Sequence, residues 1–392
     1  MSASPNNSSP ESVVYLGYIG GLGGEANQLL DLAAGVASRG IPVRVVVPAM
    51  EKVAAVVEPF QGKPNLSIEL TPLIRYGRLS QNPLDVLRLV KQCLAPLPGL
   101  RTAPVLHIHT GDICLPRLTL TALDIIRPKS PVFATIHCPA PEMEVGGSRA
   151  RYWAVVASRR LRKVICPSRH GARTQVQYGL PEARVMTIHN GVNTARFATG
   201  DRSVPRRLLK VGDETPLIVF TSRLYEQKRP LDTIEAFARI APEFPEATLA
   251  VVGAGPLEEE ARARVAALGL DERIQFVGHQ SNIPDWLAAA TVWLQTSDRE
   301  NFSLATIEAL AAGCPVVATA CSGNDEILED GKNSLTAPVG DIEGLANGLR
   351  RLVTDAALRK QLSAGAIKTA ACFTRERMVD AHLECYRAEG KA

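Results

Sequence analysis

The stretch VVYLGYIGGLGGEANQLLDLAAGVASRGIPVRVVVP, residues 13–48, decides the fold class. Two apolar, valine-rich segments of strand length flank a longer segment with helical spacing, and Gly21-Leu22-Gly23-Gly24-Glu25-Ala26 joins the first strand to the helix. Strand, helix, strand at this spacing means parallel strands joined by a crossover helix. The alternation continues through VLHIHT, PVFATIH, KVICPS and ARVMTIHNGV, so the first half reads as one doubly wound sheet.

The pattern breaks over Asn193 to Glu214, where Gly, Pro, Asp and Arg mix, and restarts at PLIVFTSRL. A second series follows, with DTIEAFARIAPEF, ATLAVVGAG, PLEEEARARVAALGL, VWLQTS, SLATIEALAAG and PVVATA. The expected organisation is a polar tail at 1–11, a Rossmann-like domain at 12–192, a linker at 193–214, a second Rossmann-like domain at 215–372 and a C-terminal helix at 373–392 packing back on the first domain. In open α/β sheets ligands bind at the carboxyl ends of the strands, so two such domains are expected to face each other across a binding cleft.

Composition narrows the function classes. With 46% hydrophobic and 21% charged residues the chain is globular, not disordered. The tail MSASPNNSSPE lacks the basic start and apolar stretch of a signal peptide. No apolar run reaches the roughly 18 residues of a spanning helix. The eight cysteines form no C-x-x-C pair, which fits free thiols in a reducing compartment, and the expected location is cytoplasmic. A net charge of +4 is too small to argue for nucleic acid and does not discourage an anionic ligand. Residues 149–163, RARYWAVVASRRLRK, carry six basic residues and no acid, the one candidate for peripheral contact with anionic lipid. On a helical wheel Tyr152 and Val156 fall among the basic positions, which favours a solvated face.

The glycine turn matches the G-x-G-x-x-G/A template, but a nicotinamide or flavin site also needs an acid about twenty residues on. Here the second strand ends Val46-Val47-Pro48, without one. What the turn offers is either backbone open to an anion or sugar at the helix start, or a tight turn with no ligand.

The second half is more specific. Glu300-Asn-Phe-Ser-Leu-Ala-Thr-Ile-Glu308 separates two carboxylates by seven residues, and Ser303 is a natural N-cap. Glu300 is thereby placed in the loop before the helix and Glu308 in its second turn. Amides at Phe302 to Leu304 suit a phosphate, while the carboxylates suit sugar hydroxyls. Arg223 and, five residues later, Lys228 follow strand PLIVFTS as surface cations for a diphosphate. No D-x-D occurs, so a carboxylate-held divalent metal has no sequence support.

In order and spacing, Phe220-Thr-Ser-Arg223-Leu-Tyr-Glu-Gln-Lys228, Val252-Gly-Ala-Gly255-Pro256, Phe276-Val-Gly-His279 and the Glu300 to Glu308 segment followed by Ala-Ala-Gly-Cys-Pro-Val-Val resemble the GT-B-fold retaining glycosyltransferases of family 4. Asn190-Gly-Val-Asn193 is similar to that family's domain junction. The resemblance implies transfer of a sugar from a nucleotide-diphosphate sugar to an unidentified acceptor, with retention, without a metal or cofactor. It places Arg223 and Lys228 on the diphosphate, Glu308 on the ribose, Glu300 on the transferred sugar, and Gly253, Asn301, Phe302, Ser303 and Leu304 around the donor. Gly23 and Gly24 would meet the phosphates from the first domain, and His137 would lie over the sugar, with His109 a weaker candidate. The family usually has Glu-Gly-Phe-Gly where this chain has Glu300-Asn-Phe-Ser, and often Glu-Lys-Gly where it has Glu226-Gln-Lys-Arg229. The rival readings are a sugar phosphorylase or nucleotide-sugar epimerase on the same fold, an NAD-dependent oxidoreductase, or a non-catalytic scaffold.

Overall fold

The computed structural model describes residues 9–18, 23–72, 74–75, 78–79, 83–94, 104–110, 117–126, 128–137 and 159–389. Gly21, Leu22 and most of the basic segment, residues 149–158, lie outside the described residues. The chain divides into two units, Met1–Gly191 with Arg375–Ala392, and Val192–Thr374. Residues 193–214, expected as a linker, carry the short helices Thr194–Phe197 and Ser203–Leu209 and group with the second unit.

In the first unit the strands are β1 (Val13–Tyr18), β2 (Val43–Pro48), β3 (Leu66–Thr71), a separate short antiparallel pair β4 (Ile74–Arg75) and β5 (Arg78–Leu79), then β6 (Val105–Thr110), β7 (Val132–Ile136), β8 (Lys163–Cys166) and β9 (Val185–Thr187). The main sheet has the order β3-β2-β1-β6-β7-β8-β9, parallel throughout. The second unit contributes β10 (Leu217–Thr221), β11 (Thr248–Val252), β12 (Ile274–Gly278), β13 (Val292–Gln295), β14 (Val316–Thr319) and β15 (Leu335–Ala337) in the order β12-β11-β10-β13-β14-β15. Each order reverses beside its first strand, between β1 and β6 and between β10 and β13. Such switch points open a crevice beyond the strand ends.

Burial shows why the strands are almost continuously apolar. Val13 and Tyr15 enter one core while Val14 and Leu16 enter another on the opposite face, and Ile218 and Phe220 alternate with Leu217 and Val219 in the same way. A sheet covered on both faces has no polar side, so the period-two alternation disappears from the sequence.

One face of the first sheet carries a buried polar row. Period-two geometry puts His107 and His109 of β6 on the same face as Tyr15, with which His107 is in register, and brings Thr135 and His137 alongside from β7 and its end. Helix Arg375–Glu389 covers this row, and its Met378, Val379, Leu383 and Tyr386 join the core there. The His107 ring is bonded on both sides, Nδ1 to the Tyr386 hydroxyl at 2.5 Å and Nε2 to the Thr135 hydroxyl at 2.8 Å. His109 Nδ1 meets His137 Nε2 at 3.1 Å, and His382 Nδ1 lies 2.8 Å from the Met378 carbonyl. His109 Nε2 and His382 Nε2 are enclosed without a partner among the described residues.

Burial disfavours charge on all four imidazoles. Desolvation, followed by the mutual repulsion of neighbouring rings, lowers His107 and His109 well below the ordinary value, and desolvation lowers His137 and His382 to about 4. The unfolded chain therefore binds protons that the folded unit refuses. Stability is complete above about pH 6.5, the unfolded value, and is lost as pH falls toward 4, by at most ~1.4 kcal/mol per pH unit for each histidine. Hydrogen exchange in β6 and β7 at pH 7.5, 6 and 5, corrected for intrinsic rates, should report this loss. His382→Leu should reduce its slope by about one group's share, and an unchanged slope would show that His382 does not contribute.

Candidate functional site

The switch point of the second sheet gathers most of the residues singled out in the sequence. Strand β10 delivers Arg223 and, after a short turn at Glu226–Lys228, Lys228; strand β13 delivers Glu300 through the loop Thr296–Arg299. Backbone and side-chain bonds fasten these loops together. Asp298 N–H donates to the Gln227 carbonyl at 2.9 Å, Gln227 Nε2 donates to the Arg299 carbonyl at 2.8 Å, and the Thr296 hydroxyl lies 2.9 Å from the carbonyls of both Lys228 and Arg229.

Between them sits a buried ion pair. Lys228 Nζ donates to Glu300 Oε1 at 2.5 Å, with side chains only 16% and 8% exposed. The expectation of Lys228 as a surface cation is thereby corrected: its ammonium is anchored on a carboxylate, with two further N–H donors beyond this bond. Glu300 Oε1 also accepts from the Ser297 hydroxyl at 2.7 Å and from Gln295 Nε2 at 3.2 Å. Arg223 is exposed and lies over the Tyr225 ring, 5.1 Å from its centroid, with no ion pair among the described residues.

Glycine matters at two places around this centre. Gly253 has φ +146, and a Cβ there would sit 1.9 Å from the Ser222 carbonyl oxygen, so the β10 and β11 exits touch through bare backbone beside Arg223. Gly323 has φ +81, and a Cβ there would lie 2.5 Å from the Glu300 carbonyl oxygen and 2.4 Å from that of Asn301. The Glu300 loop rests directly on Gly323.

The departures from the family pattern have different structural costs. Asn301 is buried and is not among the residues with positive φ, so asparagine fits there without backbone strain. Arg229 instead takes φ +47, ψ 56, the left-handed region that glycine enters more easily, and is held by a bond from its Nε to Asp232 at 2.6 Å.

Ser303 caps helix Leu304–Ala311 by accepting the Thr306 N–H, and its carbonyl accepts the Ile307 N–H. The first-turn amides left without helical acceptors are those of Leu304 and Ala305. Glu308, half-buried, lies in the second turn of this helix. Phe302 turns into the core against Phe373, with ring centroids 5.2 Å apart, so its side chain is structural and its backbone is what a ligand could meet.

Four candidates, Gly23, Gly24, His109 and His137, lie in the first unit. Gly23 precedes helix Gly24–Ala37 in extended conformation, φ −144, and a Cβ there would approach only Glu25 Cγ, at 3.9 Å. Neither its backbone nor its packing against the described residues demands glycine. His137 ends β7 as part of the buried row, its Nε2 committed to His109, and one N–H is shared between the two rings.

Gln295, Ser297 and Gln227 were not singled out from the sequence. Gln295 had a signal, a lone amide ending the otherwise apolar strand VWLQ.

Two family models match the chain in succession, Glycosyltransferase Family 4 over residues 22–196 and Glycosyl transferases group 1 over residues 204–369. The D-inositol 3-phosphate glycosyltransferase of Nocardioides sp. is 32% identical over 227 residues, 54% of this chain and 50% of that protein. Its namesake from Geodermatophilus obscurus is 30% identical over 68% of this chain and 60% of its own length. The chain thus spans about half the length of the curated relatives it matches. The solved structure of Anabaena Alr3699/HepE in complex with UDP matches with a TM-score of 0.80 at 22% identity, covering 96% of this chain and 100% of that one, and that protein is also solved with UDP-glucose. Two parallel-sheet α/β units of this kind are the fold of the GT-B glycosyltransferases. The chain belongs to glycosyltransferase family 4.

Removing one member of a buried ion pair strands the other. Lys228→Ala should destabilise the second unit by about 1–3 kcal/mol, and Lys228→Ala combined with Glu300→Gln should recover much of that loss. Urea unfolding followed by tryptophan fluorescence reads it, because Trp286 and Trp293 are both in the second unit's core. Equal stability of Lys228→Ala and wild type would show that the pair contributes nothing.

Proposed function

We propose that this protein transfers a sugar from a nucleoside-diphosphate sugar to an acceptor hydroxyl, with retention at the anomeric carbon and without a metal ion. The observation that carries the reading is the meeting, at one switch point, of cations with carboxylates: Arg223 and Lys228 from the exit of β10, Glu300 and the start of the Glu308 helix from the exit of β13. Phosphate oxygens need the first set and sugar hydroxyls the second. The UDP and UDP-glucose complexes of the Anabaena protein support a nucleotide-sugar donor.

In this reading the bond from the anomeric carbon to the diphosphate oxygen breaks as negative charge gathers on the leaving phosphate. Arg223, the outer N–H groups of Lys228 and the amides of Leu304 and Ala305 meet that charge as fixed, preorganised donors. The acceptor oxygen bonds to the same face of the sugar, and its proton passes to the departing phosphate. Glu308 accepts from the ribose and Glu300 from the transferred sugar. Gly253 and the backbone of Asn301, Phe302 and Ser303 border the donor.

A thermal-shift panel of UDP-, GDP- and ADP-sugars tests the donor class, because a ligand at a hundredfold its Kd adds about 2.7 kcal/mol of stability. One base should raise the melting temperature, and turnover with it should persist in excess EDTA. Loss of turnover on chelation, restored by magnesium or manganese, would overturn the metal-independent mechanism.

The two carboxylates separate in binding. Glu308→Gln should weaken both UDP and the intact sugar nucleotide, since the ribose is common to both, by roughly tenfold for one charged hydrogen bond. Glu300→Gln should leave UDP affinity nearly unchanged and lower turnover even at saturating donor. Equal UDP affinities of Glu308→Gln and wild type in calorimetric titration would remove the ribose role.

A further inference from the structure

The side chain of Gln295, 4% exposed, uses every bond its amide can make. Its Nε2 donates to Glu300 Oε1 at 3.2 Å and to the Ser303 hydroxyl oxygen at 3.0 Å. Its Oε1 accepts from the Thr306 hydroxyl at 2.9 Å and from Asn324 Nδ2 at 2.7 Å. Two acceptor-only groups fix the orientation of both amides. The Glu300 carboxylate requires the nitrogen of Gln295, and the Thr319 carbonyl, 3.3 Å from Asn324 Nδ2, requires the nitrogen of Asn324, which then faces Gln295 Oε1.

The result is a lopsided carboxylate. Lys228, Ser297 and Gln295 all donate to Oε1 of Glu300, while Oε2 accepts nothing among the described residues and is not one of the enclosed, unpartnered atoms. Rotation of the carboxylate would surrender three donors at once. The same amide also donates to the Ser303 hydroxyl, but the cap of helix Leu304–Ala311 has bonds of its own, from the Thr306 N–H to that hydroxyl and from the Ile307 N–H to the Ser303 carbonyl, so the helix start does not depend on Gln295.

We propose that Gln295 is the positioning residue of Glu300, and that it presents Oε2 alone to the ligand, so that the donor sugar is held at Glu300 through a single oxygen. The inference rests on the reading of Glu300 as the sugar contact. An apolar side chain at 295 would leave Oε1 with two donors and free the carboxylate to turn, whereas the nucleotide contacts would stay intact.

The test uses UDP and UDP-glucose as probes, in calorimetric titrations of the full chain carrying Gln295→Met, which keeps length and removes the donor. Gln295→Asn, which withdraws the donor but keeps an amide, serves as the second variant should the first fail to fold. UDP affinity should stay within about twofold of wild type, and UDP-glucose affinity should fall roughly tenfold, as expected for losing the geometry of one charged hydrogen bond. In a Glu300→Gln background the same substitution should have no further effect, because positioning acts only through the group positioned. Parallel losses of UDP and UDP-glucose affinity, or losses that multiply between the two positions, overturn the proposal. If Glu300→Gln itself leaves UDP-glucose binding unchanged, or wild type binds neither probe, the reading of Glu300 as a contact for this donor fails. The crystal structure of Gln295→Met then decides the positioning separately: a carboxylate rotated from its wild-type orientation supports it, and one still holding Oε2 outward overturns it.

Discussion

A carboxylate removed from water needs donors, and Glu300 finds three on one oxygen. Much of the second unit's switch point follows from that requirement. Lys228 reaches it from the β10 side, at the end of a turn that is bonded to the Asp298–Arg299 loop. Ser297 and Gln295 approach it from the β13 side, and Gly323 supports its backbone from below with no side chain of its own. The strand order supplies the space, because the crevice between β10 and β13 is where neighbouring crossovers diverge. Electrostatics and topology therefore select the same place.

The first unit meets the problem of buried polarity differently. Its row of imidazoles and tyrosines carries no fixed charge; burial keeps the histidines neutral and raises the Tyr15 and Tyr386 phenols. Bonds between neutral groups are individually weak, but they connect β1, β6, β7 and the C-terminal helix in one network, which gives a sheet otherwise built of interchangeable apolar residues a specific partner. His137 stands at its edge, its Nε2 3.1 Å from His109, whose ring packs against His107 and Tyr15.

What could be read from the sequence and what could not differ in a physical way. The strands of both sheets are legible in runs such as VVYLGY and LIVFT because burial on both faces leaves only apolar residues. Ser303 was legible as a cap because capping is local, three residues from donor to acceptor. Residues 193–214 read as a break because of their Gly, Pro and Arg content, yet Arg206 is buried with its guanidinium donating to the carbonyls of Gly212, Thr215 and Ala289. Charge on a short helix looks solvated until its acceptors are known. The contacts of Glu300 with Lys228 and of His107 with Tyr386 span 72 and 279 positions, and no local pattern announces such partners.

The division of the chain carries a consequence for its birth on the ribosome. The second unit is one continuous segment, Val192–Thr374, whereas the first needs Arg375–Glu389 to cover Tyr15 and His107. Synthesis runs from the N-terminus, so the half made first is the half that must wait, its polar row open to water until the final helix emerges. The second unit has every residue it needs before the first is complete. Completion of the first unit's core therefore depends on residues made after the whole of the second unit's segment.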